Sequence, residues 1–125
     1  MAHLLKQSTK HYNMVSEHNI RPIRRGDTFI FPLEFYEDEC EETPIDVSTY
    51  VFKLQAKNAA GTTIFTWNNV DFVSVATNKR TVTLSAVTTA TYAVGEFIYD
   101  LQVTTASGVF TWMVGYILVE EQITS

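Results

Sequence analysis

The sequence predicts an all-β chain, folded as an antiparallel β-sandwich of about seven or eight strands with one short helical turn and an N-terminal arm. Short stretches of alternating apolar and polar residues recur roughly every ten residues, with turn-forming residues between them, which is typical of sandwiches. The 125 residues suit one domain. Hydrophobic residues make up 46% and charged residues 18%, which favours a packed core over disorder. We assign residues 1–19 to an arm or tail and residues 20–125 to the sandwich.

The clearest pair of strands spans residues 95–120. Its first strand alternates, with four apolar residues on one parity, and its second strand is apolar on both parities. A strand with two apolar faces needs cover on both, so we expect a central position in a sheet or an interface between subunits. The second strand therefore supplies four candidate assembly contacts, which are Trp112, Val114, Tyr116 and Leu118.

Five further strands follow from the same alternation. In the first of them, four large apolar residues share one face, and Pro32 implies a free edge or a bulge because proline cannot donate to a sheet ladder. Pro22 likewise restricts any strand at residues 20–25 to an edge. The predicted strands are Thr28–Tyr36, Tyr50–Lys57, Thr63–Trp67, Val70–Ala76 and Thr81–Ser85.

The β pattern breaks at residues 85–92. Ser85 is a suitable N-cap for a short helical turn, since its hydroxyl can accept from a backbone N–H of the first turn. We expect this turn to pack Val87 and Tyr92 and to end at Gly95.

Charge is distributed unevenly along the chain, whose net charge is −5. Residues 1–27 hold five basic and two acidic residues, a net of +3, which leaves −8 for the remainder. Two interpretations of residues 1–19 stay open: a frayed tail, or an arm that orders on a neighbouring subunit. Arg24 and Arg25 are further candidate assembly contacts, because they could steer association with an acidic surface.

The sequence gives little support to catalysis, metal binding or membrane insertion. Cys40 is the only cysteine, and no stretch approaches the ~18 apolar residues of a membrane span. The acidic run at residues 37–42 lacks the alternating ligands of a calcium loop and is expected to be solvated. The three histidines, all near the N-terminus, accompany no nucleophile motif. We therefore expect no enzyme activity, no cofactor and no metal, and the acidic body argues against nucleic acid as a partner.

Four segments, in this order, resemble a domain family of bacteriophage and prophage tail and baseplate proteins, typified by the Ig-like N-terminal domain of upper baseplate proteins. The resemblance covers roughly residues 23–119. The segments are Arg25–Phe29, Pro44–Tyr50, Val82–Ser85 leading to Gly95, and Phe97–Gln102 followed in the next strand by Gly108–Thr111 and Gly115.

This resemblance implies a non-enzymatic virion structural protein, made in the bacterial cytoplasm. Such a baseplate, tail or connector component would act by assembly with other virion proteins, including copies of itself, and without nucleic acid or membrane. The shared positions have structural explanations: glycines permit turns or a bulge, and the carboxylates cap turns or bond a neighbouring loop. The positions shared with the family are Gly26, Asp27, Asp46, Asp100, Gly108 and Gly115.

A second hypothesis also stays open from the sequence. The sandwich could bind a carbohydrate or host surface through an exposed Trp67 or Trp112.

Overall fold

The computed structural model describes residues 6–7, 16–17, 20–36 and 43–122. Over these residues the chain forms two packed β-sheets, which confirms the predicted sandwich. Two strands near the N-terminus are very short, β1 (Lys6–Gln7) and β2 (Ser16–Glu17). The longer strands are β3 (Ile20–Arg24), β4 (Phe29–Phe35), β5 (Val51–Lys57), β6 (Thr63–Trp67), β7 (Val73–Ala76), β8 (Lys79–Leu84), β9 (Gly95–Thr105) and β10 (Gly108–Glu120).

The four-stranded sheet has the order β1-β4-β8-β7. β4 pairs antiparallel with β8, and its alternating pattern buries Phe29, Phe31, Leu33 and Phe35 as predicted. On the other side of β4, β1 pairs only with residues 34–35, so the ladder described there does not reach Pro32. This arrangement agrees with the free edge expected at that proline.

The six-stranded sheet has the order β2-β10-β9-β5-β6, with β3 also paired to β10. β9 lies between β5 and β10 and runs antiparallel to both. β2 and β3 instead run parallel to β10, so the sheet is not purely antiparallel. A parallel neighbour needs a long connection, which almost the whole chain provides between β3 and β10.

Large aromatic side chains fill the space between the two sheets. The Phe35 ring lies 5.4 Å from the ring of Phe52 and 5.5 Å from that of Trp112. At the other end of the core, Trp67 lies 6.1 Å from Phe29. These rings are almost fully buried, so they hold the sheets together through apolar burial and offset ring contacts.

The helical turn begins where the sequence predicts it, but it ends at Thr89 and not at Gly95, which is the first residue of β9. Helix α1 (Ala86–Thr89) is capped by the Ser85 hydroxyl, which accepts from the Thr88 N–H at 3.2 Å. Tyr92 packs as expected, with its ring stacked 4.5 Å from that of Phe65. Val87 does not, because it is 79% exposed and the buried side chain of the turn belongs to Thr89.

The segment at residues 69–76 differs from the single strand predicted there. A 3₁₀ turn spans Asn69–Asp71, and only Val73–Ala76 is strand. Asp71 closes a capping box with the Asn68 N–H at 2.8 Å, which favours a turn over a strand at that point. No helix in the described part of the chain is long and apolar enough to cross a membrane.

Candidate functional site

A β-bulge at Trp112 changes which side chains of β10 point into the core. The pairing with β9 shifts between Thr111 and Met113, so Trp112 is an extra residue. Trp112 and Met113 are therefore both buried, although they are consecutive. Beyond the bulge the parity is reversed: Ile117 and Val119 point into the core, and the even-numbered residues from 114 to 118 point outwards.

This reversal corrects the expectation that the even-numbered apolar residues of β10 all lie on one face. Trp112 was expected among the assembly contacts together with Val114, Tyr116 and Leu118. The structure places Trp112, at 2% exposure, in the core and leaves the other three on the outside of the sheet. Because of the bulge, even-numbered residues of β10 face the core up to Trp112 and face outwards from Val114.

We call the outside of the six-stranded sheet, across β5, β9 and β10, the outer face. Cross-strand pairing orders its side chains in rows, since residues opposite each other lie on the same face. The rows are Val51–Thr104–Val109, Lys53–Gln102–Thr111, Gln55–Asp100–Val114 and Lys57–Ile98–Tyr116, with Glu96 opposite Leu118 at the end.

Apolar side chains are concentrated in part of the outer face. Ile98 is 53% exposed and lies opposite Tyr116, which is 49% exposed. Val114 and Leu118 flank Tyr116 along the same strand and are partly exposed. Together these four side chains form one patch, which we call the outer-face patch. Contiguous exposed apolar residues of this kind mark interaction surfaces more often than scattered ones.

A pocket opens beside the outer-face patch. It has a volume of about 330 Å³, and its lining combines the patch with polar groups. The lining residues are Gln55, Lys57, Asn58, Ala59, Gly61, Ile98, Tyr99, Asp100 and Val114.

Asp100 lines this pocket and lies between Gln55 and Val114 in one row of the outer face. Its Oδ1 atom is buried and accepts no hydrogen bond within the described residues. The sequence predicted a bond from Asp100 to a neighbouring loop, and the Oδ1 atom makes none. Because buried polar atoms are nearly always paired, an unpaired and buried carboxylate oxygen is an unusual feature.

One wall of the pocket is the turn between β5 and β6. The Asn58 Oδ1 accepts from the N–H groups of Ala60 and Thr62, at 3.0 and 2.9 Å. Gly61 has a φ of 87°, a conformation that glycine adopts without strain. These local bonds fix the turn, so the wall does not depend on a ligand.

Arg24 and Arg25, expected to steer association, already have partners within the chain. Arg24 forms an ion pair with Glu120 at 3.1 Å. Arg25 donates to both carboxylate oxygens of Glu121, at 3.1 and 3.0 Å, and to the carbonyl of Ala90 at 2.7 Å. Their charge is thus largely balanced locally, which weakens their case as contacts for a partner.

The turn at Gly26 and Asp27 docks onto helix α1. The Gly26 N–H donates to the Thr89 Oγ1 at 3.0 Å, and that hydroxyl donates to the Asp27 carbonyl at 2.8 Å. Gly26 has a φ of 85°, and a Cβ atom there would lie 2.9 Å from the Gln122 Oε1. These contacts account structurally for the glycine and for its place in the resemblance.

The remaining predicted turn positions also have structural roles. Asp46 accepts from both the N–H and the hydroxyl of Ser48, at 2.9 and 2.6 Å, and these bonds lower the pKa of its carboxyl. Gly108 begins β10 with a φ of 143° after the turn from β9. Gly115 lies opposite Tyr99 in the ladder, and the bulge expected there occurs at Trp112 instead.

Arg80 is a buried residue that sequence reasoning missed. It is 5% exposed, and its guanidinium donates to the carbonyls of Phe72 at 3.1 Å and Val47 at 2.9 Å. It also lies 4.8 Å from the centre of the Phe52 ring. Burial lowers the pKa of this guanidinium. The carbonyl oxygens and the face of the ring supply the negative potential that a carboxylate partner would otherwise supply.

Neither tryptophan is available to a carbohydrate. Trp67 is 1% exposed and Trp112 is 2% exposed. The indole N–H of Trp67 donates to the Tyr92 hydroxyl at 3.1 Å, inside the sandwich. The sequence-based expectation that one of these rings is exposed was wrong.

Metal binding finds no support among the described residues, where no three histidine, cysteine or carboxylate side chains converge. His3, His11 and His18 lie outside the described residues. The acidic run at 37–42, with Cys40, lies outside them as well.

Comparison with known proteins yields a fold and no family. No protein-family model matches the sequence, and no curated protein matches it. The structure is similar to the N-terminal domain of phage TP901-1 ORF48, with a TM-score of 0.50 and 12% identity over 85% of this chain and 99% of that one. It is also similar to CopC from Methylosinus trichosporium OB3b, with a TM-score of 0.42 and 13% identity over 88% of this chain and 89% of that one.

The first of these likenesses shows that the chain shares the fold of a phage protein domain. This confirms the phage-like fold that the sequence resemblance implies, and the narrower assignment to tail or baseplate stays a prediction. The second likeness is too low to carry an argument.

Proposed function

We propose that this chain is a non-enzymatic structural protein of a bacteriophage or prophage virion, a component of the baseplate, tail or connector. It acts by protein–protein assembly, and at least one of its partners is a further copy of itself. It becomes part of the virion after synthesis in the bacterial cytoplasm.

The outer-face patch is the observation that carries this proposal. Ile98 and Tyr116 are each about half exposed and lie opposite each other on adjacent strands. When a partner removes apolar surface in the middle of a sheet face from water, the free energy of association becomes more favourable by roughly 25 cal/mol per Å². The strands beneath are the most extensively paired of the fold, so the patch is a rigid surface for docking.

Two further observations support the same function. The fold is shared with a phage protein domain. The most conspicuous polar side chains of the described region, such as Arg80, Thr89 and Asp46, are engaged in bonds that stabilise the fold. The alternative, a carbohydrate-binding module, required an exposed tryptophan ring, and both Trp67 and Trp112 are buried.

Sedimentation velocity over a range of concentrations tests the assembly. The wild-type chain should form a species larger than the monomer as concentration rises. Ile98→Lys and Tyr116→Lys should each shift the association to at least about tenfold higher concentration, because a charge on the patch must be desolvated on docking.

Val73→Lys is the matched control. Val73 is 59% exposed, comparable to Ile98, but it lies on the edge strand of the other sheet. It should leave the association unchanged. A wild-type chain that remains monomeric at all concentrations, or equal loss in all three variants, would contradict self-assembly through the outer-face patch.

A further inference from the structure

The outer face carries charged side chains beside its apolar patch. We propose that two copies of this chain dock through their outer faces around a two-fold axis, and that Lys57 of each copy pairs with Glu96 of the other. The inference rests on the proposed assembly function and specifies the orientation in which a second copy docks.

The charges in the rows of the outer face are balanced. Lys53 and Lys57 lie on β5, whereas Glu96 and Asp100 lie on the neighbouring strand β9. The whole chain has a net charge of −5, which repels a second copy, but these two basic and two acidic residues cancel. Because the basic and the acidic side chains lie on separate strands, the face can present opposite charges to a rotated copy of itself. The face therefore fits a second copy without the repulsion that the rest of the chain causes.

The two charges that we pair between copies have no partner within the described part of the chain. Among those residues, the side chains of Lys57 and Glu96 form neither an ion pair nor a hydrogen bond. Arg24 and Arg25, by contrast, pair with carboxylates of their own chain. Glu96 is exposed and Lys57 is partly exposed. Both charges are therefore available to a second copy.

A two-fold axis over the outer-face patch brings these two side chains together. In a two-fold interface, each residue contacts its counterpart reciprocally, so both members of a pair must lie at similar distances from the axis. Lys57 lies directly opposite Ile98 on the next strand, about 5 Å away. Glu96 lies two residues from Ile98 along β9, about 7 Å away. Since these distances are similar, the docked copies form two identical ion pairs.

Exposure and position decide which two of the four charges pair. Asp100 is only partly exposed and its Oδ1 is buried, so Glu96 presents the more accessible carboxylate. Lys53 lies four residues from Lys57 along β5, about 13 Å farther along the strand from the row of Ile98. The ion pairs thus lie at the rim of the apolar contact, where they determine orientation more than affinity.

Charge reversal followed by mixing tests the proposal. Lys57→Glu places like charges in both contacts of a dimer, and so does Glu96→Lys, so each variant alone should associate about tenfold more weakly than wild type. In an equimolar mixture, both contacts of the mixed dimer regain opposite charges. Sedimentation velocity should therefore show that the mixture associates at the same concentration as wild type. With one variant labelled with ¹⁵N, native mass spectrometry should show the mixed dimer as the main dimeric species.

Two further variants serve as controls. Lys53→Glu makes the same charge change on the same strand, at an exposed position away from the contact, and should leave association unchanged. An equal loss in Lys53→Glu would mean that association responds only to the charge of the face, which would overturn the proposal. The double variant Lys57→Glu/Glu96→Lys distinguishes a pair within one chain from a pair between copies. Recovery in the double variant without recovery in the mixture would place the pair within one chain, and this would also overturn the proposal.

The outcomes separate this inference from the proposed function. If Ile98→Lys weakens association but the two charge reversals do not, the function stands and the two-fold pairing fails. If wild type stays monomeric at all concentrations, self-assembly fails and the pairing fails with it. Loss of association in each single variant, with recovery in their mixture, supports both.

Discussion

Arg80 shows at the scale of a single residue how a buried charge can stabilise this fold. Its guanidinium contacts the backbone of the loop before β5 and the end of the 3₁₀ turn, through the carbonyls of Val47 and Phe72. Neither segment has regular secondary structure at the contact, so the hydrogen bonds from Arg80 take the place of a sheet ladder. Hydrogen bonds from a charged donor are the stronger class.

Replacing Arg80 by Met should lower the free energy of unfolding by about 2–3 kcal/mol, because it leaves buried carbonyls without donors. Arg80→Lys should restore only part of the loss, since an ammonium cannot reproduce the planar fork. Urea denaturation measures both effects. Lys79→Met is the control on the adjacent, partly exposed residue, and its effect should stay within about 0.5 kcal/mol. Equal losses at residues 79 and 80 would contradict the role assigned to Arg80.

The sequence could not reveal Arg80 or the unpaired oxygen of Asp100. Arg80 follows Thr77, Asn78 and Lys79, so it reads as part of a polar turn. Its burial depends on the loop of residues 44–50, which contacts it from thirty or more positions away. Asp100 occupies a polar position of an alternating strand, where exposure is the ordinary expectation. Long-range packing decides both cases, and a local pattern does not contain it.

At the scale of the elements, helix α1 links the start of the sandwich to the end of β8. The Thr89 hydroxyl is fully buried and serves as both acceptor and donor to the turn that precedes β4. Arg25 reaches the end of the same helix through the Ala90 carbonyl. The helical turn therefore closes one end of the sandwich, which is a structural role beyond linking two strands.

Thr89→Val should destabilise the chain by about 2 kcal/mol. Valine has nearly the same shape, but the Gly26 N–H and the Asp27 carbonyl would lose their partner. Thr83→Val makes the same chemical change at an exposed strand position and should alter stability by less than about 0.5 kcal/mol. The measurement is the thermal midpoint of both variants. Indistinguishable midpoints would show that Thr89 does not fasten the turn.

Periodicity predicted the elements well where one face alone is buried. β4 and β5 lie within a residue of the predicted bounds, and Ser85 caps the helical turn as expected. Prediction failed where the backbone departs from a regular period. The bulge at Trp112 reverses the parity of β10, and one inserted residue changes the face of every side chain beyond it. The sequence placed this irregularity at Gly115, because glycine is a local signal and a bulge at tryptophan is not.

For the whole molecule, the two faces of the six-stranded sheet have different roles. The inner face holds the aromatic core, with Tyr99, Leu101 and Val103 buried. The outer face carries an apolar patch beside a pocket that Asp100 lines. The predicted assembly contacts Val114, Tyr116 and Leu118 lie on that outer face, although the sequence had placed them together with the buried Trp112. The contacts predicted from charge, Arg24 and Arg25, are paired within the chain.

Hydroxyl-radical footprinting of the wild-type chain tests the outer face most directly, because it needs no substitution on the surface in question. The oxidation rate of Tyr116 is compared at concentrations where sedimentation shows monomer and where it shows the larger species. Val70, 82% exposed and outside the outer face, serves as the internal reference. We predict that Tyr116 becomes protected several-fold in the larger species while Val70 keeps its rate. Unchanged oxidation of Tyr116 in a chain that has demonstrably assembled would contradict the outer face as the assembly surface.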